Sequence, residues 1–216
     1  MEIIDQIIQA FLSTSWLERF SVGCGIIQVL LSKNNKVSNY LFGILGIISG
    51  MYVLFGARLY AEVALNMYYL IMSVYGWWFW MANKAAAQQP ITSCSKKEWS
   101  IVASISFGGF ILLFLILKNL IVITGFLFSG NISLANSDVP IWDAWVSATA
   151  WAGMWLLARR KIENWILLNI SNAFAIPLLI HKDLYLFALL TTFLFIVAIF
   201  GYFKWAKIMK LEAKIS

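Results

Sequence analysis

Two stretches of this chain place carboxamides where hydrocarbon is expected. ENWILLNISNAFAIPLLI (163–180) puts Trp165, Asn169 and Asn172 at i, i+4 and i+7, on one helical face. AEVALNMYYLIMSVYGWWFW (61–80) puts Asn66, Tyr69, Ser73 and Trp77 on a face in the same way. At about 1.5 Å per residue, Asn172 lies about 15 Å from its helix end, and Asn66 is about as deep, near mid-membrane. Hydrocarbon offers an amide no partner, so it must turn to other protein or to a ligand. Convergence of these faces implies a small-molecule cavity. Trp151, deep in the run 140–158, also needs a partner for its N–H and suits a cavity wall, with Trp155 one turn on. Interhelical hydrogen bonding is the other use for such amides, and it stays open here.

The elements that carry these residues are membrane spans. Of the 216 residues, 62% are apolar and only 12% charged, and the mean hydropathy is +0.81. So few charges cannot cover a globule in water, which excludes soluble, disordered and collagen-like classes. Apolar runs fall at about 16–32, 38–56, 59–81, 99–117, 140–158, 162–180 and 183–203. With the N-terminus outside, 12 of the 16 Lys and Arg lie on inside segments and 4 outside. That bias predicts seven spans with the C-terminus inside. Residues 1–15 read as a short interfacial helix, with Ile3, Ile4, Ile7, Ile8 and Phe11 on one face. NLIVITGFLF after Lys118 extends the fourth helix or lies at the interface. Aromatic belts account for Trp16, Trp142 and Trp145 at one boundary and Trp78, Trp80, Trp99 and Trp205 at the other.

The chain also aligns with itself. An offset of 125 residues places Asn39 on Asn164, Leu59-Tyr60 on Leu184-Tyr185, Gly76 on Gly201, Trp80 on Trp205 and Glu18 on Asp143. The organisation predicted is all-α: a three-helix repeat over 16–81, a linker helix over 99–128, a second repeat over 140–205 and a basic tail over 206–216. Three helices and one linker keep both repeats in the same direction, an arrangement used by transporters.

Other chemistries lack their residues. No phosphate-binding GxxxxGK[ST] motif is present, and no His/Cys/carboxylate cluster suggests a metal. No cofactor or enzymatic centre is expected. No nucleic-acid role follows from the net charge of +6, since basic residues collect on inside loops. Glu18, Glu62 and Asp143 fall near outer helix ends and no carboxylate lies at mid-depth, which points to facilitated diffusion. Cys24 and Cys94 lie in unlike settings, and no disulfide is expected.

LNMYYLIMSVYGWWFW (65–80), GMWLLARRKIENWILLNISN (153–172) and LYLFALLTTFLFIVAIFGYFKW (184–205) resemble the PnuC family of bacterial vitamin transporters over nearly the whole chain. The resemblance implies a seven-helix, three-plus-one-plus-three protein of SWEET-like architecture in the bacterial inner membrane. It further implies a homotrimer and facilitated uptake of nicotinamide riboside, trapped inside by a cytoplasmic vitamin kinase. The family's W-x-x-W followed four residues later by Asn is matched by Trp165 and Asn172, but Leu168 replaces the second Trp. Asn66 and Tyr69 match its N-x-x-Y, which the resemblance places at the substrate. Leu168 keeps thiamine as an alternative substrate. A non-transporting receptor or structural bundle is the alternative of another class. Both vitamins are cationic rings with hydroxyl-bearing arms, which Tyr and Trp faces hold at about 0.5–2 kcal/mol per contact.

Overall fold

Helix ends in this chain are set by local chemistry. α1 (Trp16–Lys33) starts after Ser15, whose hydroxyl accepts from the Glu18 N–H while Glu18 places its carboxylate in the first turn. α2 (Asn39–Gly56) and α3 (Tyr60–Ala82) follow. α4 (Lys96–Lys118) opens on a reciprocal cap: the Ser95 hydroxyl accepts from the Glu98 N–H, and the Glu98 carboxylate accepts from the Ser95 N–H. It carries a π-helical turn over Ser104–Gly108. α5 (Pro140–Ala158) has a proline in its first turn, where a missing N–H costs nothing. α6 (Asn164–His181) runs on through Pro177, and α7 (Tyr185–Glu212) closes the chain.

This computed structural model describes residues 14–56, 60–82, 90–119, 121–123, 137–182 and 185–214. The interfacial helix expected over 1–15 lies outside them apart from Thr14 and Ser15. So do the 124–128 end of the linker, Arg58, Lys84 and the Leu59 and Leu184 landmarks. Among the described residues, four helices are long and apolar enough to cross a membrane: Asn39–Gly56, Lys96–Lys118, Asn164–His181 and Phe187–Glu212. Large apolar side chains cover their outward faces, among them Tyr52, Phe107, Phe200 and Phe203. Apolar surface of that extent belongs against lipid or another protein.

Neighbouring helices close into a ring. α1 packs on α2, α2 on α3, α3 on α5, α5 on α6, α6 on α7, and α7 returns to α1, with α4 outside the ring against α5. Geometry recurs at the 125-residue offset. Asn35 and Arg160 both take positive φ, 54° and 56°, in the tight turns α1–α2 and α5–α6. Asn39 donates to the Lys36 carbonyl, and Asn164 to the Lys161 carbonyl. The Tyr40 ring lies over Gly76 and edge-on to Trp80 at 5.2 Å and 88°. The Trp165 ring lies over Gly201 and edge-on to Trp205 at 5.6 Å and 88°. A Cβ at either glycine would strike the ring, at 2.5 Å and 2.8 Å respectively.

Counterparts also touch each other. Arg160 donates to the Asn35 carboxamide oxygen at 2.9 Å, and the Trp80 and Trp205 rings lie 6.1 Å apart. Each indole N–H is paired, Trp80 donating to the Ala158 carbonyl and Trp205 to the Ser32 carbonyl. Here the belt expectation fails: Trp80 and Trp205 are buried in the core. Burial of the indoles and carbonyl partners for both N–H groups favour the ring interior over the interface. Trp16, Trp78, Trp99 and Trp142 are exposed, as a belt requires.

Candidate functional site

A cavity of about 200 Å³ lies between α1, α5, α6 and α7 of the ring. α1 lends Gln28 and Ser32, α5 Met154 and Leu157, α6 Trp165, Leu168 and Asn172, and α7 Leu194 and Ala198. No charged side chain lines it. Two residues of its wall carry buried polar atoms without a protein partner, the Ser32 hydroxyl and the Trp165 indole N–H. Buried polar atoms are paired in folded proteins in all but a few per cent of cases, so both atoms call for a partner beyond the protein atoms around them.

The offset explains why Trp165 is left over. Its counterpart Tyr40 donates to the Leu157 carbonyl at 3.4 Å. The matching acceptor for Trp165 is the Ser32 carbonyl, which already receives Trp205 at 3.0 Å.

The predicted residues do not all gather here. Trp165 and Asn172 line the cavity, together with Leu168. Asn169 instead borders a groove of about 420 Å³ between α6 and α7, alongside exposed Ile166, Ile170 and Phe203. At 3.6 residues per turn, Asn169 and Asn172 flank Trp165 and stand about 60° apart, so the indole divides them. The Asn169 carboxamide oxygen is buried and has no protein partner.

Trp151 stacks on Tyr68 at 4.7 Å, while the Tyr68 hydroxyl donates to the Trp151 carbonyl at 2.9 Å. The pair joins α3 to α5, and the indole packs beside Leu113 and Ala148. The Trp151 N–H is buried without a partner. Asn66 and Tyr69 are half-buried on α3, and Trp77 packs against the Tyr40–Trp80 cluster. None of these four lines the 200 Å³ cavity.

Gln28 is the site residue that sequence reasoning missed. It is an amide inside an apolar run, the same signal that singled out Asn66 and Asn172. Its side chain lies over Gly43, where a Cβ would come within 2.8 Å of Nε2. The counterpart contact is reversed in size: Leu168 lies over Gly153, where a Cβ would meet Cδ2 at 2.8 Å. A bulky residue from α1 faces glycine in one half, and a bulky residue from α6 faces glycine in the other.

Below the cavity, the turns, the start of α4 and the end of α7 meet at one lysine-rich end. Arg160 is 2% exposed, stacks over Trp80 at 4.7 Å, and its pKa is drawn down by burial against the opposing pull of Glu212 and Tyr40. A guanidinium stays charged despite such a shift. Lys182 and Asp143 pair at 2.7 Å at the opposite end, where Ser137 also donates to Asp143. Both Cys24 and Cys94 are free. Among the described residues, no group of His, Cys, Asp or Glu is placed to hold a metal.

Residues 15–207 match the family described as nicotinamide mononucleotide transporter. The chain belongs to that family. Its members are membrane transporters and not enzymes, and the chain is a multi-pass membrane protein. Relatives named nicotinamide riboside transporter PnuC include one from Escherichia coli, 24% identical over 88% of this chain and 85% of its own length. Another, from Neisseria mucosa, is 26% identical over 96% and 78%, and one from Haemophilus influenzae is 25% identical over 91% and 81%. A solved structure described as the vitamin B3 transporter PnuC shares the fold. It aligns at a TM-score of 0.68 over 96% of this chain and 88% of that one, with 21% identity.

Proposed function

We propose that this protein is a facilitative transporter of nicotinamide riboside, carried through the centre of the helix ring. The observation that carries the reading is a charge-free cavity lined by Asn172, Gln28, Trp165 and Ser32, the last two with a buried N–H and hydroxyl that have no protein partner. A cationic ring meets an indole face there with no fixed counter-charge to retain it. The relatives' names support the substrate.

All seven long helices cross the membrane in this reading, as two parallel three-helix repeats of SWEET-like form joined by α4. The N-terminus is outside and the lysine-rich end faces the cytoplasm of a bacterial inner membrane. The protein works as a homotrimer, and a cytoplasmic kinase traps the vitamin. At about 200 Å³ the cavity is below the roughly 300–1,000 Å³ of a ligand pocket. The ring therefore widens to admit substrate, drawing Asn66, Tyr69 and Trp77 of α3 and Trp151 of α5 toward it, with Asn169 reached from the far side of the Trp165 indole.

Purified protein in liposomes should equilibrate labelled nicotinamide riboside without any ion gradient. Failure to move either nicotinamide riboside or thiamine would overturn the reading. Leu168 in the cavity wall favours thiamine as the second substrate, because one aromatic face of the family motif is absent. A titration with both vitamins separates them.

A further inference from the structure

We propose that residues 90–95 form a strap that closes the lysine-rich end of the ring and must lift to release the transported molecule, with Glu212 as its clasp. The inference rests on the ring cavity being the transport path, as proposed above.

The strap is tied to two elements, the α5–α6 turn and α7. The Thr92 N–H donates to the Arg160 carbonyl at 3.2 Å, and the Ile162 N–H donates back to Thr92 at 3.1 Å, tying it to the α5–α6 turn. The Cys94 N–H donates to the Glu163 carboxylate at 2.9 Å. The Ile91 N–H donates to the Glu212 carboxylate, also at 2.9 Å. Glu212 reaches it because α7 runs beyond Lys207, the counterpart of Ala82 where α3 ends.

Ile91 is the stopper. It is 1% exposed and buried in the cluster of Tyr40, Trp80, Ile162 and Trp205. Leu157, Trp165 and Ala198 belong both to that cluster and to the cavity wall. Withdrawing Ile91 therefore opens the cluster that also supplies part of the cavity wall. The bonds that hold the strap are non-covalent and few, each of modest net strength, which suits a part that opens during turnover. Among the described residues, the second half continues as α7 to Glu212.

The first experiment needs no substrate. A single thiol, Leu168→Cys, is placed in the cavity wall of full-length protein carrying Cys24→Ser and Cys94→Ser. Labelling by a membrane-impermeant maleimide is followed in sealed vesicles of both orientations, with and without Glu212→Gln. The expected result is labelling about tenfold faster in the Glu212→Gln protein, from the lysine-rich side alone. Equal rates with and without Glu212→Gln would overturn the proposal.

The second experiment uses Ser93→Cys with Met209→Cys, whose native side chains approach to 4.0 Å. Oxidation, with the cross-link verified by mass, should reduce uptake at least tenfold, and reductant should restore it. Undiminished uptake by the cross-linked protein would overturn the strap. If the parent moves no nicotinamide riboside while Leu168→Cys labelling still responds to Glu212→Gln, the substrate reading falls and the strap stands.

Discussion

Segments 16–82 and 140–207 share a skeleton and differ in what they offer a ligand. The left-handed turn residues, the Asn39 and Asn164 bonds, and the ring-over-glycine packing recur at one offset. Those positions hold helices against each other, and interlocking aromatic groups tolerate little change. The cavity-facing positions diverge. Asn172 replaces Ile47, Leu168 replaces Gly43, Gly153 replaces Gln28, and Trp165, with its unpaired N–H, replaces Tyr40. A shared frame with unlike linings makes the hollow asymmetric.

The comparison is open to direct attack. The largest effects should come from the two tryptophans that meet in the core. Trp80→Ala and Trp205→Ala should each cost about 3–5 kcal/mol of stability, read by unfolding in detergent. A marked inequality would mean that the halves do not bear the core equally. Next, Gly76→Ala and Gly201→Ala should each cost about 1–3 kcal/mol through overpacking. Gly76→Ala should be the worse, since its Cβ comes closer to the facing ring.

The linings should respond unequally. Asn172→Ala should weaken nicotinamide riboside binding by about 1–3 kcal/mol in a titration. The counterpart change Ile47→Ala should leave affinity unaltered. Leu168→Trp should shift preference toward nicotinamide riboside over thiamine by about 0.5–2 kcal/mol.

The smallest effect concerns the strap. Burial first, and then the Glu163 carboxylate beside it, push the Cys94 thiol up to about 12. Only thiolate is alkylated, so the rate should rise about tenfold per pH unit through the mildly alkaline range. Glu163→Gln removes a negative neighbour, lowers the thiol's pKa and should speed alkylation several-fold at constant pH.

Much of the frame was legible in the chain. Asn39, Gly76 and Trp80 announced their counterparts because packing positions keep residue type. The site was less legible. Trp165 and Asn172 were found through helical spacing, yet the same spacing grouped Asn169 with them, although the indole separates the two amides. Trp80 and Trp205 carried the composition of a belt but form the core, because a residue's depth along a helix does not state which way it points. Gln28 carries the same signal as Asn66, an amide within an apolar run.

The sequence by itself determined the membrane class, the places of the helices, the 125-residue repetition and the collection of lysines toward one end. Hydropathy, capping residues and charge are properties of short stretches, and a chain displays them without folding. Only the tertiary structure decided which amide reaches the hollow, which N–H is left without an acceptor, and that Ile91 is buried in the core at the lysine-rich end. Those outcomes depend on competition among residues distant in sequence, such as Trp165 and Trp205 for the one Ser32 carbonyl, and no local pattern records the winner.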